Sequence, residues 1–369
     1  MAALVAGGCA MSRVPVLLLL VLACIPDVRL KNPGTAVPEQ LLDGWVVATP
    51  EEVGIAPESL GLAYDAVTSE DRYLNALSLL VVRQGKLVFE TYVRSPEDRD
   101  RLHPIQSATK CFTSLAAGVA MEHGLPADPD STIYRFFQDK FDTVAAKRGI
   151  KLRHLLTMRS GLEFSNDRFA LEIFTGRDID ELAYILGKPL YARPGEEFWY
   201  RDCDPHLVSC LIQHATGRTT EDLMREQVFT PLGITDLYWE KTRGGYTHGP
   251  TSLHLRPRDM ARVGQLVLQR GEWEGEQLID AAWIDSSTTP KVQLPPEEYP
   301  ASRGYGYYWW LLPELEGFTM AGHGGQFIFV VPDKDLVVAM TSYPYAGGEA
   351  GTNVEEFAEL VGPVVRGCD

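Results

Sequence analysis

The chain has 369 residues, is 45% hydrophobic and 23% charged, and carries a formal net charge of −16 at pH 7. This size and composition are typical of a globular protein with a large core, for which two lobes are expected rather than one. The negative net charge argues against nucleic acid or an anionic membrane surface as a partner, since both need a basic face on the protein.

The first 24 residues predict a targeting segment that is not part of the fold. An apolar run at 14–23 is too short to span a membrane permanently and is typical of a secretory signal. The residues before Cys24 also resemble a bacterial lipoprotein signal, which would place a lipid anchor on Cys24; ordinary cleavage nearby is the alternative. We therefore expect an exported protein, whether periplasmic, secreted or anchored, with residues 25–50 as a linker and residues 51–369 as the folded domain.

Strand and helix signals then follow in chain order. A helix is predicted at Ser59–Thr68, and two apolar runs, Leu77–Val82 and Leu87–Val93, flank Arg83–Lys86, which predicts a β-hairpin. The patterns from about 107 to 285 are mostly helical. Later strands are predicted at Tyr305–Leu312, Phe318–Ala321, Gln326–Val331 and Leu336–Ser342, before a last helix at Asn353–Leu360.

This order of elements predicts an α/β (α+β) fold. Strands at both ends with helices between them indicate an antiparallel sheet formed by both chain ends, with an inserted all-helical lobe at about 107–285. An active site in such an arrangement lies in the crevice between the lobes. The point where the chain enters the helical lobe is therefore the place to look for a nucleophile.

Ser107 and Lys110 lie at that point, three residues apart. On a helix this spacing puts both side chains on one face, where a neutral lysine amine can accept the proton of a serine hydroxyl. A Ser-x-x-Lys match arises by chance in a chain of this length, so alone it indicates little. The apolar spacing of the following residues predicts a buried helix that ends near Gly124, and its first turn favours an alkoxide.

Tyr200 and Asp202 are predicted on a loop before a second helix, with Asp204 as its N-cap and Pro205 at its first position. A tyrosine beside a lysine ammonium can relay protons. The alternatives are an ordinary tyrosine and an aspartate that assists the cap.

His323, Gly325 and Gln326 mark a third point, between two predicted strands. Glycine allows the backbone to approach a ligand closely, and a free N–H at the start of a strand can bind an oxyanion. The alternative is a plain hairpin turn.

Four cysteines follow the targeting segment: Cys111, Cys203, Cys210 and Cys368. Their spacings fit no zinc pattern. Cys111 and Cys203 each come directly after a candidate catalytic segment, so a bridge between them would be allowed in an oxidising compartment. The alternative is that these cysteines are small buried hydrophobic residues.

The three motifs in this order resemble the serine hydrolases of the β-lactamase and penicillin-binding-protein superfamily, whose signature is Ser-x-x-Lys, Tyr-x-Asn and Lys/His-x-Gly. Segments 155–162, 229–234 and 258–261 fit as well. The stretches 255–266 and 305–310 resemble most the aminohexanoate-dimer hydrolases, within the branch that also holds class C β-lactamases and family VIII esterases.

The resemblance implies an acyl-enzyme mechanism without metal or organic cofactor. Ser107 would be the nucleophile, and Lys110 with Tyr200 would move its proton. His323 would stand near the leaving group, and the backbone N–H groups of Ser107 and Gln326 would bind the oxyanion. The substrate would be a small-molecule ester, amide or peptide.

Asp202 departs from this pattern, because the superfamily usually has asparagine there. An ionised carboxylate cannot donate a hydrogen bond to a substrate amide, and it favours a protonated lysine. Esters and simple amides are therefore expected before β-lactams and peptides, if Asp202 faces Lys110; alternatively, Asp202 belongs to the helix cap and points away. A catalytically silent sensor or scaffold of the same fold at the cell envelope is the alternative function.

Overall fold

The computed structural model describes residues 31, 36–140, 145–166, 180–344 and 351–369. The predicted targeting segment, including Cys24, lies outside these residues, so export and lipidation stay predictions of the sequence. No helix in the described ranges has the length and apolar character needed to cross a membrane.

One sheet of nine strands, counted over the described residues, forms the centre of the fold, in the order β1-β3-β2-β14-β13-β12-β11-β10-β9. Two smaller sheets, β4-β6-β5 and β7-β8, lie in the middle of the chain. The bounds are β1 Val46–Val47, β2 Ala76–Arg83, β3 Lys86–Tyr92, β4 His103–Pro104, β5 Tyr238–Trp239, β6 Leu253–Leu255, β7 Glu272–Trp273, β8 Glu276–Gln277, β9 Val292–Gln293, β10 Gly304–Tyr305, β11 Trp310–Leu312, β12 Gly317–Gly322, β13 Gln326–Val331 and β14 Leu336–Ser342.

Helices cover both faces of the main sheet. Because both faces are covered, every residue of β13 and β14 is buried, and most of them are apolar. One core lies between the sheet and the inserted lobe, and a second lies between the sheet and the first and last helices. The helices are α1 Pro57–Ser69, α2 Thr109–Glu122, α3 Leu152–Leu156, α4 Glu181–Leu186, α5 Cys203–Thr216, α6 Thr220–Met224, α7 Pro257–Leu268, α8 Ala281–Ser287 and α9 Val354–Arg366.

The predicted sheet from both chain ends is confirmed. The hairpin between β2 and β3 pairs Arg83 with Lys86 across a two-residue turn, in which Gln84 and Gly85 both have positive φ, 52° and 72°. Two features differ from the prediction. β1 pairs with β3 in parallel, and the inserted region contains the short strands of the two smaller sheets as well as helices.

Three local predictions were wrong. Tyr305–Leu312 is not one strand but β10 and β11, because Tyr308 takes a positive φ of 72° between them. Asp204 does not cap α5; it is fully buried inside the first turn, and its Oδ2 accepts the backbone N–H of Ser160 at 3.3 Å. The last helix continues through Pro363 to Arg366.

Helix α2, which follows Ser107, packs closely on Trp283 of α8. The Trp283 indole N–H donates to the Ser114 carbonyl at 2.9 Å, and a Cβ atom built at Gly118 would lie 2.4 Å from the Trp283 ring. This contact leaves no room for a side chain at position 118. The distance between α2 and Trp283 therefore depends on the glycine at this position.

We expect Gly118→Ala to lower the free energy of unfolding by about 1–3 kcal/mol, because the methyl group overpacks the Trp283 contact. Gly61→Ala is the matched control: Gly61 lies in helix α1, with nothing within 4 Å of a built Cβ. It should raise stability by about 0.5–1 kcal/mol through helix propensity. Urea unfolding of both variants decides, and an unchanged midpoint for Gly118→Ala would contradict the close packing.

Candidate active site

Ser107 lies on a short 3-10 turn, Gln106–Ala108, that leads directly into α2. The preceding strand β4 pairs with β6, which fixes the direction from which the chain arrives. Gln106 has a φ of 50°, a left-handed conformation that a residue with a side chain adopts at a cost. This sharp turn leaves Ser107 half-buried at a cavity wall, while its neighbours Ala108 and Thr109 are fully buried.

Lys110 is the most constrained charged group of the site. Its side chain is 2% exposed, and its Nζ donates to Ser107 Oγ at 2.9 Å and to the carbonyl of Pro250 at 3.0 Å. The third partner is Asp202, whose Oδ1 lies 2.8 Å from Nζ. Three acceptors match the three N–H bonds of an ammonium group, so the resting lysine is charged.

The pKa of Lys110 reflects two opposed effects. Burial alone lowers it, because the charged form loses its hydration, but the negative charge of Asp202 and the neighbouring Tyr200 outweigh burial and raise the pKa above its ordinary value. The lysine therefore holds its proton more firmly than a lysine in water. Any mechanism that uses it as a proton acceptor must first remove that proton.

Tyr200 covers the other side of the ammonium. The Lys110 nitrogen lies 4.9 Å from the centroid of the Tyr200 ring, and that ring stacks on Trp310 of β11 with centroids 5.7 Å apart. Tyr200 is half-buried and lines the same cavity as Ser107. The structure thus brings Ser107, Lys110, Tyr200 and Asp202 together, as the sequence motifs predicted.

The Asp202 side chain faces Lys110. The alternative, in which this side chain caps the helix and points away from the lysine, is not observed. Asp202 occupies the position before α5, yet its side chain makes no capping hydrogen bond within the described residues. Its backbone N–H donates to Oδ1 of Asn166 at 2.8 Å, and its side chain stays 24% exposed. The partly exposed carboxylate therefore contacts the buried lysine directly.

Arg201, between these two residues, points the opposite way and is fully buried. Its guanidinium donates to the carbonyls of Trp199 and Leu162 and to the Tyr191 hydroxyl, and it lies 4.5 and 4.7 Å from the ring centroids of Trp199 and Tyr191. All of these partners belong to the loop itself or to the segment after α3. Arg201 therefore fastens the loop so that Tyr200 and Asp202 project toward Ser107.

The segment after α3 receives this loop at several further points. The Trp199 N–H donates to the Met158 carbonyl at 3.0 Å, and the Gly195 N–H donates to the Arg159 carbonyl at 2.8 Å. A Cβ at Gly161 would lie 2.3 Å from the carbonyl oxygen of Ala192, so only glycine fits there. The motif at 155–162 is thus a support for the Tyr200 loop.

The third motif lies in the hairpin between β12 and β13. His323 is exposed and lines the cavity with Gly322 and Gly324. A Cβ at Gly322 would lie 2.2 Å from the carbonyl oxygen of Ile105, which places the end of β12 directly against the turn that carries Ser107.

Gly325 and Gln326 lie behind that contact. The Gly325 N–H closes the hairpin on the Gly322 carbonyl at 3.2 Å. The buried Gln326 side chain donates to the carbonyl of Ser342 at 2.7 Å and accepts the Ser342 N–H at 3.1 Å. These side-chain bonds tie Gln326 to β14, and the strand end beside Ser107 is Gly322.

Sequence reasoning missed Pro250, Asn166, Arg201 and Gly322. Only the glycine had a signal, since it stands next to the His323 motif. The others act through a backbone carbonyl, a distant amide and a buried guanidinium, for which no spacing rule exists.

The four cysteines after the targeting segment are free and buried. The Cys111 thiol donates to the Tyr308 carbonyl at 3.1 Å, and that of Cys203 to Asp204 at 3.4 Å, so the bridge between Cys111 and Cys203 that the sequence allowed is not formed. Burial raises the pKa of both thiols. Among the described residues, no group of three or more His, Cys, Asp and Glu side chains is placed to hold a metal ion.

We expect Arg201→Met to destabilise the protein by about 3 kcal/mol, because it leaves buried acceptors without their partner, and to lower kcat by more than the loss of folded protein explains. Arg193→Met on the same loop is the control, since Arg193 is 85% exposed. Denaturation curves beside kcat, measured where both variants are folded, test this. Full activity of folded Arg201→Met would contradict the fastening role.

Comparison with known proteins places this geometry in a family. The Beta-lactamase family profile matches residues 65–352, more than half of the chain. ML-236A carboxylate methylbutanoyltransferase of Penicillium citrinum is 31% identical over 162 residues, which are 38% of each chain. The 6-aminohexanoate-dimer hydrolase of Paenarthrobacter ureafaciens is 22% identical over 293 residues, 72% of each chain.

The first curated relatives are thus matched over less than half of their length. Among solved structures, a family VIII carboxylesterase superposes with a TM-score of 0.66 at 16% identity, covering 85% of this chain and 99% of that one. That likeness shows the fold. Because the family profile spans most of the described chain and solved members share its architecture, this protein belongs to the β-lactamase family of hydrolases.

Proposed function

We propose that this protein is a serine hydrolase that cleaves an ester or a simple amide through an acyl-enzyme on Ser107. The observation that carries the proposal is the 2.9 Å hydrogen bond from the buried Lys110 ammonium to Ser107 Oγ, at the wall of a 490 Å³ cavity. A serine on an open cavity wall, beside a lysine and a tyrosine, is equipped for acyl transfer. The relatives named as a dimer hydrolase and as a carboxylesterase support this class of reaction.

Acylation begins when Ser107 Oγ attacks the substrate carbonyl carbon and its proton passes to the Lys110–Tyr200 pair. The pair can accept that proton only after losing one, because Lys110 rests as an ammonium with three acceptors. The bond to the leaving group then breaks, and Tyr200 supplies the proton that the leaving group needs. Water attacks the acyl-enzyme by the same path in reverse and frees Ser107.

The oxyanion needs two N–H donors near Ser107. One is the backbone N–H of Ser107 itself. For the second donor we assign the backbone N–H of His323 in place of the backbone N–H of Gln326. The reason is that the hairpin meets the Ser107 turn at Gly322, and His323 follows Gly322 directly in the cavity wall. Gln326 would then shape the hairpin through its bonds to Ser342.

Asp202 favours esters over β-lactams and peptides. The resemblance implies that an asparagine at this position would donate to a substrate amide, whereas the Asp202 carboxylate has no proton to donate and accepts from Lys110. A silent sensor or scaffold of the same fold is the second candidate, and it too is favoured by Asp202, which keeps Lys110 charged.

The nucleophile is tested by substitution. Ser107→Ala and Lys110→Ala should each lower kcat by about a thousandfold or more, and the double variant should be scarcely worse, because residues that act as one unit are not additive. Ser114→Ala, also buried on α2, is the control and should keep its activity.

The measurement is hydrolysis of p-nitrophenyl esters of graded chain length, with nitrocefin, D-alanyl peptides and aminohexanoate oligomers beside them. Labelling by a fluorophosphonate should add its mass to the Ser107 peptide. Most of the turnover remaining in Ser107→Ala would overturn the proposal, and absence of labelling by several acylating probes would favour the silent sensor.

The pH profile tests Asp202. The negative charge of Asp202 raises the pKa of Lys110 and so opposes loss of its proton, and the acidic limb of kcat/KM should therefore move to lower pH in Asp202→Asn. Asparagine also restores a donor, so amide turnover should rise several-fold relative to short-chain esters, as expected for a hydrogen bond of about 0.5–1.5 kcal/mol. Asp222→Asn, away from the site, is a control; identical profiles for wild type and Asp202→Asn would contradict the ion pair's role.

A further inference from the structure

The cavity at Ser107 has an uneven charge distribution. Its lining includes two carboxylates, Glu298 and Glu355, and among the described lining residues there is no lysine or arginine. Glu298 is exposed and Glu355 is half-buried, so both carboxylates reach solvent near the cavity. Neither one has an ion pair within the described ranges.

Other charges near the cavity do not reverse this sign. Lys110 is buried behind Ser107, and Asp202 offsets its charge. The N-terminus of α9 also meets the cavity, but its first turn carries Glu355 and Glu356, and Asn353 caps it.

On the far side of Tyr200, a second cavity contains Lys188 with Glu163. The Lys188 ammonium lies 3.7 Å from the centroid of the Tyr184 ring, which also lines the second cavity, so its charge belongs to that cavity and not to the Ser107 cavity. His323 is the remaining basic side chain in the lining of the Ser107 cavity, and it lies on the hairpin beside the nucleophile.

Aromatic rings form one wall of the Ser107 cavity. Trp310 lies between Tyr200 and Tyr299, with ring centroids 5.7 Å apart on both sides and interplanar angles of 30° and 32°. Trp310 and Tyr299 are half-buried, so part of each ring is open to the cavity. Aromatic faces with carboxylates nearby are the surroundings that a substituted ammonium group prefers.

We propose that the substrate of this site carries an ammonium group, held against the Trp310 wall and attracted by Glu298 and Glu355. The proposal rests on the proposed hydrolase function of Ser107. The same field repels carboxylate-bearing substrates, which include β-lactams and peptides with a free C-terminus. A charged amine on an ester or amide is thus favoured by attraction, and anionic substrates are disfavoured by repulsion.

Pairs of substrates that differ only in charge test this. Acetylthiocholine is compared with S-(3,3-dimethylbutyl) thioacetate, which places the charge in the leaving group. The p-nitrophenyl ester of 4-(trimethylammonio)butanoate is compared with that of 5,5-dimethylhexanoate, which places it in the acyl group. We expect the cationic member of at least one pair to have about a fivefold higher kcat/KM, mostly through KM, as two partly exposed carboxylates would provide.

Glu298→Gln with Glu355→Gln should bring that ratio to about one, and salt should lower it in the wild type. Glu297→Gln, the exposed neighbour outside the cavity, is the matched control and should leave the ratio unchanged. Trp310→Leu should lower the ratio as well. A wild-type ratio of one or less in both pairs, or a ratio that survives the double substitution, overturns the proposal.

The two proposals fail in different ways. If the neutral esters are cleaved and Ser107→Ala abolishes this, the hydrolase stands whatever the charge ratio is. If no ester is cleaved, two p-nitrophenyl methylphosphonates are compared instead, one with a choline group and one with a 3,3-dimethylbutyl group. The charge preference is then the ratio of the rates at which they label Ser107. Equal rates then overturn the charge preference, and no labelling by either overturns the hydrolase and the inference together.

Discussion

The ion pair between Lys110 and Asp202 is the interaction on which the site depends. A lysine ammonium that is 2% exposed is costly to bury unless every N–H bond has an acceptor. Ser107 Oγ, the Pro250 carbonyl and Asp202 provide these acceptors, and they come from the entry to α2, the loop before β6 and the loop before α5. One buried charge therefore joins three distant parts of the chain at a single point.

The segments that carry the groups around that charge are each packed against, or hydrogen-bonded to, another part of the fold. Helix α2 rests on Trp283 at a glycine, and the Tyr200 loop is fastened by the buried Arg201. The end of β12 contacts the Ser107 turn through backbone atoms. The site is thus arranged before any substrate binds, which is the condition for electrostatic stabilisation without reorganisation.

Much of this could be predicted from the sequence, where local chemistry decides the outcome. The hairpin at Gln84 and Gly85 follows from turn geometry, since both residues take the positive φ that a two-residue turn needs. The spacing of Ser107 and Lys110 predicted the contact between them. That Tyr200 and Asp202 join them was implied by the resemblance of the three motifs to a known superfamily. These patterns act over a few residues, within reach of a sequence argument.

Tertiary contacts decided the rest. Asp204 has the residue type of a cap, but the buried N–H of Ser160 competes for its carboxylate and draws it inward. The Gln326 side chain bonds both the carbonyl and the N–H of Ser342 across the sheet, a partner 16 residues away that no local pattern indicates. No local pattern reports that α9 continues through Pro363, because its apolar face packs on the far side of the sheet.

The contact between Gly322 and Ile105 has a consequence for the size of molecule that the site admits. Since main chain lies against main chain there, backbone packing sets the distance between the nucleophile and the end of β12, and there is no side chain at this contact that could be shortened to enlarge the site. The aromatic wall of the same cavity differs, because Trp310 and Tyr299 contribute large rings that substitution can replace with smaller side chains. The backbone contact is therefore a fixed boundary of the cavity. The aromatic side chains form a boundary that substitution can move, so the size of the substrate that fits depends on them.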